Sequence, residues 1–91
     1  MKVARKFIVS GEVQGVGFRF FSQRSAATHQ VVGYVKNRKD GKVEAYAEGN
    51  PEAVEAFKSD ILVGPIYAKV VDLEETVLDV SNLYSTFRVE K

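Results

Sequence analysis

Residues 3–13 alternate loosely between apolar and polar side chains, with Val3, Phe7, Val9 and Val13 on one face and Lys6 and Ser10 on the other. A period of two marks a half-buried strand, and Ile8 is the residue that departs from it. Gly15 and Gly17 break this strand, and from Phe18 to His29 the period changes. Phe18, Ser22, Ala26 and His29 recur at steps of four, four and three, which sets them along one side of a helix. Gly33 then precedes a second strand at Tyr34-Val35-Lys36, and Asp40-Gly41 within Lys39-Asp40-Gly41-Lys42 favours the positive φ of a tight hairpin turn. A third strand follows from Val43, with Val43, Ala45 and Ala47 on one face and Glu44, Tyr46 and Glu48 on the other.

Asn50-Pro51-Glu52 starts a second helix. Asparagine can cap the free amides, proline is tolerated at the first helical position, and an early glutamate suits the positive end of the dipole. Val54, Phe57 and Ile61 form its buried stripe, and Gly64-Pro65 ends it. Tyr67 to Val77 reads as a long strand and Thr86 to Val89 as a short final one after a Ser81-Asn82 turn. The order strand, helix, strand, strand, helix, strand predicts an α+β fold, a ferredoxin-like split βαβ sandwich. Two helices lie on one face of an antiparallel sheet of four main strands plus a short fifth.

Composition narrows the picture. Ninety-one residues suit one domain, spanning 1–91, and the hydrophobic fraction of 45% with 27% charged residues matches an ordinary globular protein. With no cysteine there is no disulfide, thiolate nucleophile or cysteine-held metal. The apolar stretch Phe7-Ile8-Val9 after a basic start is too short for an export signal, so the expected location is cytoplasmic. A net charge of +1 argues against a nucleic-acid partner. The basic cluster of Lys36, Arg38, Lys39 and Lys42 suits a small anion better, or is simply a solvated hairpin.

Gly15-Val16-Gly17-Phe18-Arg19 lies where the first strand turns into the first helix, so backbone amides and a positive helix end converge there, as an anion site requires. The same residues also fit an ordinary turn. Neither the phosphate-binding loop ending in Gly-Lys-Ser/Thr nor the dinucleotide glycine pattern is present. Arg19 can grip two phosphate oxygens with its planar fork, or be a solvated helical arginine. Asn37, on sequence alone, reads as a strand-end or turn asparagine.

Two longer motifs carry a resemblance. Val9-Ser10-Gly11-Glu12-Val13-Gln14-Gly15-Val16-Gly17-Phe18-Arg19 resembles the first acylphosphatase signature, and Gly33-Tyr34-Val35-Lys36-Asn37-Arg38-Lys39-Asp40-Gly41-Lys42-Val43, closing at Gly49, resembles the second. The similarity continues through Gly64-Pro65, Ala68, Val70 and Glu74 into Phe87-Arg88-Val89. It implies the same split βαβ fold. It further implies that Arg19 and the backbone amides of Gly15, Val16, Gly17, Phe18 and Arg19 bind a phosphoryl group, while Asn37 orients an attacking water. The implied substrate is a small acyl phosphate and the products a carboxylate and inorganic phosphate. A monomer with no cofactor, no metal and no nucleic-acid or membrane partner is expected.

Other candidates are weaker. His29 lies roughly 15 Å along the helix from Arg19, and its pairing with Gln30, where many acylphosphatases carry an apolar residue and glycine, leaves the helix C-cap open. Asp72, Glu74, Glu75 and Asp79 alternate faces on a strand and read as an acidic edge rather than a metal site. Phe18, Phe20 and Phe21 are assigned to core packing. The rival functions are a non-catalytic phosphate or acyl-phosphate binding module, as in acylphosphatase-like domains of larger carbamoyl-transfer maturation proteins, and an RNA-binding module of the same topology. Val43, Ala45 and Ala47 with Tyr46 do not supply the aromatic pattern the latter needs.

Overall fold

The alternation in the first segment and the helical spacing in the second are realised closely in the computed structural model, which describes all of residues 1–91. The elements are β1 (Val3–Glu12), α1 (Phe18–His29), β2 (Val32–Asn37), β3 (Val43–Gly49), α2 (Pro51–Val63), β4 (Lys69–Leu78) and β5 (Phe87–Glu90). They form one five-stranded sheet in the order β4-β1-β3-β2-β5. β1 pairs antiparallel with both β3 and β4, and β2 pairs antiparallel with β3. The short β5 joins parallel to β2, so the complete sheet is mixed.

Phe7, Val9, Val35, Val43, Ala45 and Ala47 form the floor of a buried core that Val54, Phe57 and Ile61 of α2 and Phe18 and Ala26 of α1 close from above. Two boundaries and one cap differ from expectation. β2 begins two residues before Tyr34, carrying Gly33 within the strand. β4 begins after a turn in which the Ala68 amide donates to the Pro65 carbonyl at 2.9 Å. Asn50 precedes α2 in an extended conformation but makes no side-chain cap; its backbone carbonyl accepts the Val54 amide instead.

At the other end of α1, Gln30 takes a left-handed conformation, φ 59°. The Val31 amide donates to the Ala26 carbonyl at 2.8 Å and the Gln30 amide to the Ala27 carbonyl at 3.4 Å. This is a Schellman termination built on glutamine where glycine is the unstrained residue. His29 meets Asp60 of α2 at 3.0 Å, and Ser25 donates to the same carboxylate at 2.7 Å, so the helix end is tied to its neighbour.

The sheet order has a further consequence. β4 and β5 occupy opposite edges, so the Asp79–Thr86 connection must cross the sheet on the face without helices. Four strand spacings amount to about 19 Å, within the reach of about 27 Å for eight extended residues. This strap buries Tyr46 and Glu48 on the face that strand alternation alone would give to solvent. Glu48, 1% exposed, accepts hydrogen bonds from the Tyr46 hydroxyl, from the Ser81 amide at 2.7 Å and from Ser81 Oγ at 2.6 Å. Tyr34, Tyr46 and Tyr84 cluster beside it. Burial opposes the charge on Glu48, but the hydrogen bonds from Ser81 and Tyr46 outweigh it and hold the carboxyl below its ordinary value.

Two outcomes follow from these contacts. A carboxyl depressed in the folded state contributes stability at neutral pH that is lost as pH falls through its folded value. Glu48→Gln should therefore cost about 1–2 kcal/mol at neutral pH, with the deficit narrowing below a pH of about 4. Urea denaturation across pH measures this, and a deficit of constant size would contradict it. Gln30→Gly should stabilise the fold by about 0.5–1 kcal/mol, since it relieves the left-handed strain at some entropic cost, read as a raised melting temperature.

Candidate active site

The turn between β1 and α1 takes its shape from two glycines. Gly15 has φ 74° and Gly17 φ 80°, and a Cβ at either would meet nothing within 4 Å. The left-handed backbone is therefore what requires glycine here, and the space beside it stays open. Gly17 is the N-cap of α1, with no side-chain cap and no acidic residue in the first turn. The first hydrogen bond into the helix runs from the Phe21 amide to the Gly17 carbonyl. The earlier amides thus have no partner within the helix, and the positive end of the helix dipole lies among them.

Gly15, Gly17, Phe18, Arg19 and Asn37 line a single cavity of about 120 Å³, together with Val13 and Phe20. The fold thus gathers into one place two residue sets that lie far apart in sequence. Val16 is not part of this lining; its side chain packs against the hydrophobic core. Asn37 arrives from the last position of β2, opposite Val43 in the hairpin register. Arg19 stands on the first turn of α1, half-buried, and its Nη1 donates to the Glu90 carbonyl at 2.8 Å. One donor of the guanidinium is held by the end of β5. The others remain for an anion.

Gln14 had no role in the sequence reading. Its Nε2 donates to the carbonyls of Arg38 at 2.8 Å and Lys42 at 3.0 Å, fastening the turn before α1 to the β2–β3 hairpin beside Asn37. The only signal for it in sequence was its place inside the first motif. The basic cluster divides in two. Arg38 is paired with Asp40 at 3.1 Å and Glu44 at 3.2 Å, and these hydrogen-bonded carboxylates raise its pKa further. Lys36 and Lys39 join Asn37, Arg38 and Lys91 around a polar cleft of about 490 Å³.

The three phenylalanines do not all pack inward. Phe18 is buried, but Phe20 is 64% exposed, because about 100° of rotation per residue points it away from Phe18. Tyr34 and Tyr46, the aromatics of the sheet's open face, donate to Glu44 and Glu48 and lie against Tyr84 of the strap. They are not free to stack on bases. His29 sits at the far end of α1 with Asp60. Glu75 is engaged by Arg5 at 3.4 Å and Lys58 at 2.6 Å, and no three metal-ligating side chains gather anywhere in the chain. Chemically, the cavity offers converging N–H donors, a guanidinium and one neutral amide, an arrangement suited to a tetrahedral anion and a polar molecule beside it.

The whole chain is similar to known proteins. The family model described as Acylphosphatase matches residues 5–89. An acylphosphatase of Actinobacillus succinogenes is 42% identical over 89 residues, covering 98% of this chain and 99% of its own. The crystal structure of acylphosphatase from Bacillus subtilis superposes with a TM-score of 0.94 at 37% identity, covering 98% of this chain and 99% of that one. The chain also resembles part of full-length HypF in its phosphate- and nucleotide-bound form, with TM-score 0.89 and 26% identity, covering all of this chain but 12% of that one.

Because Gln14 joins the loop to the hairpin through two exposed hydrogen bonds that water can replace, Gln14→Leu should move the melting temperature little. It should weaken binding of inorganic phosphate several-fold, measured by calorimetric titration. Unaltered phosphate affinity would contradict a positioning role.

Proposed function

This chain belongs to the acylphosphatase family, whose reaction converts an acyl phosphate to a carboxylate and inorganic phosphate, and on that premise we propose how its residues divide the work. The transferred phosphoryl group lies in the 120 Å³ cavity. The backbone amides of residues 15–19 and the free donors of Arg19 hold its equatorial oxygens. Phosphoryl transfer needs little beyond positioning and stabilisation of charge on those oxygens, which fixed donors provide without reorganising. The hydrogen bond from Arg19 to Glu90 fixes the guanidinium before substrate arrives.

Asn37 holds the attacking water. An amide is too weak a base to remove a proton from it, so its part is orientation. The water oxygen bonds to phosphorus as the phosphorus–oxygen bond to the acyl group breaks. The electron pair leaves with the carboxylate, and the water's proton passes to the phosphate or to solvent. Because the conjugate acid of the leaving group has a pKa near about 4, it departs without protonation. No general acid is needed, which accounts for a site that uses neither His29 nor any carboxylate. The single observation that supports this reading is the convergence of Gly15, Gly17, Arg19 and Asn37 on one cavity.

The likeness to a segment of HypF favours one second reading, a module that binds phosphate without turnover. Tight phosphate binding without hydrolysis of any acyl phosphate would support it. We further propose that the protein acts as a monomer in the cytoplasm.

Arg19→Ala and Asn37→Ala should each lower kcat for acetyl phosphate by about 100-fold or more, with the far-UV circular dichroism unchanged. Wild-type turnover in either variant would overturn its role. Activity should persist in excess EDTA, because the chain itself supplies the positive charge; loss of activity on chelation would contradict this.

A further inference from the structure

The phosphate cavity adjoins two larger clefts of opposite character, and they share no residue with each other. Through Asn37 it meets the polar cleft of Lys36, Arg38, Lys39 and Lys91, whose basic side chains outnumber the Asp40 and Glu44 carboxylates there and which has no hydrophobic lining. Through Phe20 it meets a groove of about 700 Å³ that runs along α1. Phe20, Gln23, Arg24 and Ala27 line one wall of this groove at helical spacings of three and four, while Ser85 to Phe87 form the other wall. Ala26, Val31 and Phe87 are its buried apolar base. From Phe20 to Ala27 the wall extends about 10 Å.

Direct displacement puts the entering water and the leaving carboxylate on opposite sides of phosphorus. With the water held at Asn37, the acyl group leaves on a side away from the polar cleft. We propose that the groove along α1 receives the acyl group, and that the enzyme accordingly favours acyl phosphates with apolar alkyl or aryl chains. This inference rests on the assignment of Asn37 to the water. Phe20 is then the platform against which the first carbons of the chain lie, which explains a largely exposed phenylalanine beside the phosphate cavity. Apolar surface on the substrate is desolvated against Phe20, Ala27 and Val31. The polar cleft supplies water and attracts the anionic substrate.

The test is a series of acetyl, butyryl, hexanoyl and benzoyl phosphates, with kcat/KM measured for the wild-type protein and four variants. A methylene fully removed from water is worth about fourfold, and the groove is open on one side. The wild type should therefore gain about twofold or more per added methylene. Phe20→Ala should lower the ratio of benzoyl to acetyl phosphate. Ala27→Phe, which fills the groove from an exposed helix position, should lower the ratio of hexanoyl to acetyl phosphate by about tenfold. Ala27→Leu should fall between if the larger residue disturbs folding.

Lys39→Phe places similar bulk in the polar cleft and should leave the chain-length ratio as it is. A ratio that falls in Lys39→Phe and holds in Ala27→Phe would put the acyl group on the other side and overturn the proposal. A flat chain-length dependence, insensitive to all four variants, would also overturn it while leaving hydrolysis intact. Failure to turn over any acyl phosphate would instead remove the mechanism on which it rests.

Discussion

The hydrogen bond from Arg19 to the Glu90 carbonyl joins residues 71 positions apart in sequence, and the rest of the site depends on what that contact requires. A guanidinium on the first turn of a helix is a long, mobile side chain, costly in entropy to fix. Here the end of β5 fixes it. β5 can do so only because it lies beside β2, whose last residue is Asn37. The antiparallel pairing of β1 and β2 with β3, where Val9 and Asn37 both face Val43, brings the glycine turn with its arginine and the asparagine to one end of the sheet, and the parallel pairing of the shortest strand adds the carbonyl that holds the arginine.

That arrangement leaves a topological debt on the opposite face. A chain leaving β4 at one edge must cross the sheet to reach β5 at the other, and the crossing segment needs an anchor midway. Glu48 provides it from the central strand, accepting from Ser81 while its own charge stays favoured despite burial. The tyrosine cluster packs around this anchor. One face of the sheet therefore carries the helical core and the other a strap that delivers β5 to the site. The same strap thus anchors the open face on Glu48 and leads into the strand that holds Arg19.

Local features were legible in the sequence because they are set by local physics. The span Phe18–His29 for α1 and the Pro51 start of α2 follow from periodicity, glycine and proline alone. The Asp40-Gly41 turn and the buried face of Val43, Ala45 and Ala47 are of the same kind. What lay beyond reach was non-local. Nothing in Glu48 announces a partner 33 residues away, and an alternating strand gives no sign that both its faces are covered. Gln14 binds carbonyls, which every residue carries, so no pattern of side chains marks it. Phe20 lies outside the core because helical rotation, and not its apolar character, sets where it points. For the site itself, physical reading reached an anion-binding turn; the pairing of that turn with Asn37 came from the resemblance between two motifs, and the cavity containing both came from the fold.

The claim at the centre of this account is that water attacks phosphorus while the acyl oxygen leaves with its carboxylate. Turnover of acetyl phosphate in water enriched in the heavy oxygen isotope, with mass analysis of both products, tests it most directly. The account predicts one heavy oxygen in inorganic phosphate and none in acetate. Heavy oxygen in the acetate would mean attack at the carbonyl carbon and would contradict a site built to hold phosphorus in line with the water at Asn37.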